Sequence, residues 1–376
     1  MRKILLIFMV LGVVLSGCAS KDISPGPSEL DVMIGQMVMV GFRGLEVKGE
    51  NPVVRDIRDS HIGGIVLFSK DCALNSTVRN IAGPAQLAKL TSDLQGYSDI
   101  PLFIAVDQEG GIIKRLTGEM GFPETPSAAE LGNSGDVHAA LRAGQVIGRT
   151  LKSVGINMDF APVVDVNRNA ANPVIAALQR SFSDDPRIVS RFAESFIDGL
   201  HSEGVLSCLK HFPGHGSSRG DSHLGFTDVT DSWNPDELYP FSKIISDGKA
   251  DMVMTAHIFN ARLDRKKPAT LSRKVIHGLL RRKMGFEGII VTDDMQMKAV
   301  SGEYGFKEGI YRAVKAGADI LLFGNNLIYE PGLGSKAVAN LKKLVREGKI
   351  TERRIRTSYE RIMRAKTEML SAASRS

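Results

Sequence analysis

Chemically capable side chains recur in this chain at one kind of place, the end of a short apolar run. Asp107 closes Leu-Phe-Ile-Ala-Val, Asp165 closes Phe-Ala-Pro-Val-Val, and Lys210-His211 close Val-Leu-Ser-Cys-Leu. His257 follows Met-Val-Met-Thr-Ala, and Asp293 follows Gly-Ile-Ile-Val-Thr. The densest stretch is Lys210-His211-Phe212-Pro213-Gly214-His215-Gly216, with Asp221-Ser222-His223 shortly after it. A strand that ends in Lys-His and runs into a Pro/Gly-rich loop holds two donors rigidly while the next segment can move. A carboxylate beside an imidazole fixes its tautomer and stabilises its protonated form, which is the arrangement of a proton-shuttling histidine. Asp293, at a strand end, is a carboxylate that rigid backbone can aim at a carbon centre. Proton transfer paired with a nucleophilic carboxylate is the chemistry these residues suit.

The elements that must position them have one rhythm. Apolar, β-branched runs lie at Met37–Gly41, Gly64–Phe68, Leu102–Asp107, Asn157–Val166, Val205–His211, Met252–His257, Gly288–Asp293 and Ile320–Gly324. Helical patterns fall between them at Ala85–Gln95, His138–Val154, Pro186–Glu203, Pro235–Asp247, Arg273–Met284 and Phe306–Ala316, and two more follow at Gly334–Glu347 and Thr351–Leu370. Runs that stay apolar without polar alternation predict parallel strands buried on both faces. Eight strand-then-helix units with no linker-like break after Glu29 predict an α/β fold, a single (β/α)₈ TIM-type barrel in preference to a doubly wound sheet. In a barrel the C-terminal strand ends share one face, so Asp107, Asp165, Lys210, His211, His257 and Asp293 are expected to converge on one pocket.

Composition is that of a folded protein with a full core: 376 residues, 43% hydrophobic and 24% charged. Aromatics are 6% and no long basic block occurs, which argues against nucleic acid as a partner. Met1-Arg2-Lys3 and the apolar run Ile4–Leu15 read as a secretory leader, too short to span ~30 Å of bilayer as an anchor. Leu15-Ser16-Gly17-Cys18 resembles a bacterial lipobox, so residues 1–17 are expected to be removed and Cys18 lipidated. Residues 18–30 then read as a tether, rich in Pro, Gly and Ser, and residues 31–376 as the barrel. Loss of Arg2 and Lys3 leaves 46 basic against 42 acidic residues and lowers the net charge from +6 to +4. Cys72 and Cys208 remain, with nothing to say whether they pair.

KHFPGHG followed by DSH, together with VDQEGG (Val106–Gly111) and GFEGIIVTDD (Gly285–Asp294), resembles glycoside hydrolase family 3, and more narrowly its β-N-acetylglucosaminidases acting on cell-wall fragments. The resemblance runs from Asp31 to Arg364. It implies Asp293 as the nucleophile, His223 as acid/base oriented by Asp221, and sugar contacts from Asp107, Arg115, Arg180, Lys210 and His211. It implies retaining, exo-acting release of terminal N-acetylglucosamine through a covalent glycosyl-enzyme, with substrates among muropeptides or chito-oligosaccharides. The β-glucosidases of the family lack the Asp-x-His dyad. One departure stands out: where the family usually has Arg after the second glycine of VDQEGG, this chain has Ile112, and with Arg115 retained the expected effect is on loop packing.

The neighbouring residues invite plainer readings. Asp294 reads as a support or cap, His215 as a stiffener of its Gly-flanked turn, and His257 as either a sugar contact or a wall residue. The arginine-rich last helix reads as a barrel-closing element with a solvated basic side. No cofactor or metal is called for: a zinc site could be drawn around the histidines, yet no His-x-His ends the first strand and the sugar reading uses the same residues. A non-catalytic sugar-binding lipoprotein is the other rival, and keeping both Asp293 and the Asp221/His223 dyad speaks against it. Because a histidine acid/base repels phosphate less than a carboxylate would, phosphorolysis stands beside hydrolysis. The expected partners are the carbohydrate and, through the lipid, a membrane of the cell envelope, with the chain a monomer.

Overall fold

The computed structural model describes residues 28–222 and 224–373; the expected leader, Cys18 and His223 lie outside the described residues. The fold is α/β with all principal strands parallel. The strands are β1 Val38–Gly41, β2 Gly64–Val66, β3 Phe103–Val106, β4 Met158–Asp159, β5 Cys208–Phe212, β6 Met252–Thr255, β7 Ile289–Thr292 and β8 Leu321–Phe323. Every residue in them is buried, which requires cover on both faces and accounts for the unbroken apolar runs.

One sheet has the order β8-β1-β2-β3-β4 and a second β5-β6-β7. Register is set by pairs such as Val40 with Phe323, Val40 with Ile65 and Met254 with Val291. Single parallel bridges lie between the two sheets: Met158 to Leu206 and Val163 to Lys210 on one side, Val291 to Ile320 on the other. The run expected as a strand over Asn157–Val166 is regular only at Met158–Asp159. Pro162 has no N–H to give a ladder, and contact with β5 is kept by Cys208 N–H to Ala161 O at 2.8 Å and Val164 N–H to Lys210 O at 2.9 Å.

The helices lie between and around the strands. Pro186–Ser202 shows why they form: Asp185 caps the N-terminus by accepting from Arg187 N–H, Pro186 fits the first turn, and Val189, Phe192, Ala193 and Phe196 make an apolar stripe of helical period. It packs backbone to backbone on Val137–Ser153, because a Cβ on Gly144 would stand 2.2 Å from Phe196 O and one on Gly199 2.4 Å from Leu141 O. The helical stretch expected over Pro235–Asp247 is a tight turn at Pro235–Leu238 followed by a helix at Tyr239–Ser246. The first helix, Glu29–Gln36, capped by Ser28, begins inside the segment that reads as tether. It packs against the last helix, Glu352–Ala373.

Candidate active site

A cavity of about 390 Å³ opens where the strands end. Among the residues lining it are Asp107, Arg115, Arg180, Lys210, His211, Asp293 and Asp294, separated in sequence by up to nearly half the chain. The structure therefore brings together the five residues expected to hold sugar and the expected nucleophile. His215 and His257 do not line it.

The floor of the cavity is a network of charges. Lys210, 1% exposed, donates from Nζ to Asp107 Oδ1 at 2.8 Å and lies 2.6 Å from Glu109 Oε1. Arg115 Nη2 donates to Asp107 Oδ2 at 2.9 Å. Arg180 clamps Glu109 in two-pronged fashion, Nε to Oε2 at 2.8 Å and Nη2 to Oε1 at 2.7 Å. Burial pushes the carboxyls of Asp107 and Glu109 upward, but the surrounding cations outweigh it and hold both below their ordinary range. The same anions raise Lys210 despite its burial. The network thus offers the Asp107 carboxylate and three fixed cations to whatever hydroxyl groups enter, with Glu109 holding Arg180 and Lys210 from beneath the lining.

His211 is set by Asp165. Asp165, fully buried, accepts from His211 Nδ1 at 2.7 Å, from His211 N–H at 3.1 Å and from His215 N–H at 2.7 Å. A carboxylate on Nδ1 places a proton there, and Nε2 lies 3.4 Å from Arg180 Nη2. Asp165 is kept ionised because His211 and the hydrogen bonds overcome the cost of burial.

Asp293 stands at the end of β7 with its N–H on Thr255 O at 3.2 Å and its Oδ1 accepting from Asp294 N–H at 2.8 Å. Asp294 Oδ1 takes the N–H groups of Gln296 and Gly324, both at 3.0 Å, and so ties the end of β7 to the end of β8. His257 is 1% exposed, bonded from Nδ1 to Thr270 Oγ1 at 2.8 Å and from Nε2 to Asp294 O at 3.0 Å. The ring braces the peptide beyond Asp293 and does not line the cavity.

The loop after β5 is built from its root outward. Gly216 passes so close to Val166 that a Cβ would stand 1.7 Å from its carbonyl oxygen. Glu237, wholly buried, accepts from Gly216 N–H at 3.0 Å, Ser217 N–H at 3.3 Å and Asn234 N–H at 3.2 Å, and burial pushes its carboxyl up to about 7. His215 Nε2 meets Ser222 Oγ at 3.2 Å, which ties the strand-end motif to the Asp221-Ser222-His223 segment, and burial lowers this imidazole to about 4. Asp221 is half-buried farther along the same loop.

Ile112, where an effect on loop packing is expected, is 52% exposed and lines the cavity. Two residues of the site were missed altogether. Glu109 sat inside VDQEGG, but its partner Arg180 is 71 positions away and only the fold joins them. Glu237 has no motif; the signal available was an acidic residue in the first turn after the Pro/Gly loop.

The family described as Glycosyl hydrolase family 3 N terminal domain matches residues 29–365. A Beta-hexosaminidase A of Pseudoalteromonas piscicida is 32% identical over 381 residues, covering 91% of this chain and 62% of its own length. A Beta-hexosaminidase of Tolumonas auensis is 36% identical over 294 residues, covering 77% of this chain and 83% of its own. Among solved structures, a glycoside hydrolase family 3 beta-N-acetylglucosaminidase from a Paenibacillus species superposes with a TM-score of 0.84 at 38% identity, covering 92% of this chain and 63% of that one. The chain thus spans somewhat under two thirds of two of these relatives. With the match running over nearly all the described residues, the chain belongs to glycosyl hydrolase family 3.

Proposed function

We propose that this protein is a retaining, exo-acting β-N-acetylglucosaminidase that removes non-reducing terminal N-acetylglucosamine from peptidoglycan fragments or chito-oligosaccharides. The observation that carries the reading is that Asp293 opens onto the same cavity as the Asp107, Lys210, Arg115, Arg180 and His211 group. The Asp107 carboxylate and the fixed cations bind vicinal hydroxyls of the terminal sugar and hold the anomeric carbon before Asp293. Asp293 attacks that carbon as His223, oriented by Asp221, gives its proton to the leaving oxygen; the glycosyl-enzyme is then released when His223, now neutral, takes a proton from water. An imidazole with an ordinary pKa of ~6.5 suits both directions of transfer near neutrality. Family membership, and relatives named for hexosaminidase activity, support the assignment.

The two parallel sheets and the bridges between them support reading the eight strands as one closed (β/α)₈ barrel. On the same footing we place this barrel, residues 31–376, at the bacterial cell envelope as a monomer, held by lipid on Cys18 behind a tether and facing the periplasm or exterior; the lipobox supports it.

The deciding experiment is turnover of an aryl β-N-acetylglucosaminide against the aryl β-glucoside, each with and without phosphate. Strong preference for the acetamido sugar without phosphate is expected. Little preference overturns the substrate, and a strict need for phosphate overturns hydrolysis.

A further inference from the structure

The last helix, Glu352–Ala373, lies across the starts of the strands, at the end of the molecule opposite the cavity. Arg354 Nη2 donates to Ala318 O, just before β8, at 2.6 Å. Three turns on, Lys366 Nζ donates to Gly63 O, just before β2, at 2.9 Å. Met369 then stands with Pro101, Ile156 and Val205, which precede β3, β4 and β5. β7 and β8 begin beside this helix and end at Asp293 and Gly324 on the cavity, so the length of the strands separates the two.

This end is rich in arginine. Arg281, Arg354 and Arg361 all turn to one buried carboxylate, Asp319, the last two at 3.3 and 3.4 Å. Arg282, Lys283, Arg353 and Arg364, next to them in the chain or one turn on, are exposed and have no carboxylate partner among the described residues. Glu287, Glu352 and Glu360 are the acids interspersed, which leaves seven cations against four carboxylates. Burial, and then Arg273, Arg282, Arg281 and Arg354, hold the His277 imidazole below its ordinary value, so the positive field extends past the last helix. Self-repulsion of this kind works against the fold and is relieved where an anionic surface faces it.

The start of the folded chain lies at the same end. The first helix packs on the last, and Glu29 Oε1 is 3.0 Å from Arg356 Nη1. From Cys18 to Ser28 the chain can reach at most about 35 Å. A lipid on Cys18 therefore holds the arginine-rich end close to the bilayer.

We propose that this end is a docking surface for the anionic phospholipid headgroups of the anchoring membrane, and that the cavity consequently opens away from the bilayer. The proposal rests on the lipid assigned to Cys18 above, and its test separates the two. The full chain, processed in a bacterial host, is placed on phosphatidylglycerol-rich or phosphatidylcholine vesicles; mass spectrometry reads both the state of Cys18 and the rate at which a water-soluble reagent acylates each lysine. Each net positive charge near an anionic surface favours contact about fivefold, so an excess of three corresponds to roughly 100-fold. Lys283 is therefore expected to react at least roughly tenfold more slowly on phosphatidylglycerol, with Lys70 on the cavity unchanged. The triple variant Arg282→Ala, Arg353→Ala, Arg364→Ala is expected to lose the difference. An acylated Cys18 with Lys283 equally reactive on both vesicles overturns the docking and leaves the anchor standing. A bare Cys18 in a chain that still sediments with phosphatidylglycerol, Lys283 protected, overturns the anchor and supports the docking surface. Protection of Lys70 in place of Lys283 overturns the orientation. Lys283 that stays reactive on phosphatidylglycerol but is protected by soluble polyphosphate also overturns the proposal, assigning the face to a soluble polyanion.

Discussion

Asp165 Oδ2 lies 2.7 Å from His211 Nδ1, and the same carboxylate also receives the N–H groups of His211 and His215. One buried aspartate thus sets both the Nδ1 proton of a cavity-lining histidine and the path of the chain leaving β5. Asp165→Asn cannot serve all of these donors, because its amide nitrogen is itself a donor. Loss of a charged hydrogen bond is worth ~1.5–3 kcal/mol, so kcat/KM is expected to fall roughly 10- to 100-fold, mostly through KM, with Asp293 still competent. Steady-state kinetics on the aryl glycoside check this; an unchanged KM contradicts the role.

Glu237 links the loop after β5 to pH. Its carboxyl is raised by burial to about 7, so the folded state binds a proton that the unfolded state has lost between the unfolded value and 7. Its contribution to stability is therefore present below the unfolded pKa and is lost as pH rises through 7. The loss is on the order of 3 kcal/mol. Urea midpoints from pH 4.5 to 8.5 are expected to show this decline in the native protein relative to Glu237→Gln, which cannot ionise. Parallel pH profiles for the two proteins count against it.

Lys366 works with the opposite sign. It is 1% exposed, bonded to Gln36 Oε1 at 2.7 Å and Gly63 O at 2.9 Å, and burial lowers it to about 7. Its neutral form in the fold contributes stability that is complete above the unfolded lysine pKa and lost as pH falls through 7. Relative to Lys366→Met, the native protein is expected to gain on the order of 2–3 kcal/mol between pH 7 and pH 9. Denaturant melts at both values measure it, and a constant difference contradicts it.

Much of this arrangement was legible in the sequence because it is local. Apolar runs that stop on Asp107, Lys210-His211 and Asp293 mark strand ends, and common strand direction delivers those ends to one cavity. Asp165 was legible as a strand-end residue but its task was not, since a spacing of 46 positions to His211 carries no periodic signal. The pairings of Glu109 with Arg180 and of Lys366 with Gln36 are equally non-local. His257 looked like a cavity residue from its place after β6; its hydrogen bond to the Asp294 carbonyl depends on how β6 and β7 pair. Ile112 shows the limit of reading a departure from a motif: the missing charge was visible, but whether the replacement faced core or solvent was not.

The central claim is that Asp293 bonds covalently to the sugar. A 5-fluoro N-acetylglucosaminyl fluoride slows release of such an intermediate, so incubation followed by peptic digestion and mass spectrometry reads the attachment point directly. A single glycosyl adduct on Asp293, absent in Asp293→Ala, is the predicted result. An adduct on another carboxylate such as Asp294, or inactivation with no adduct, would contradict it.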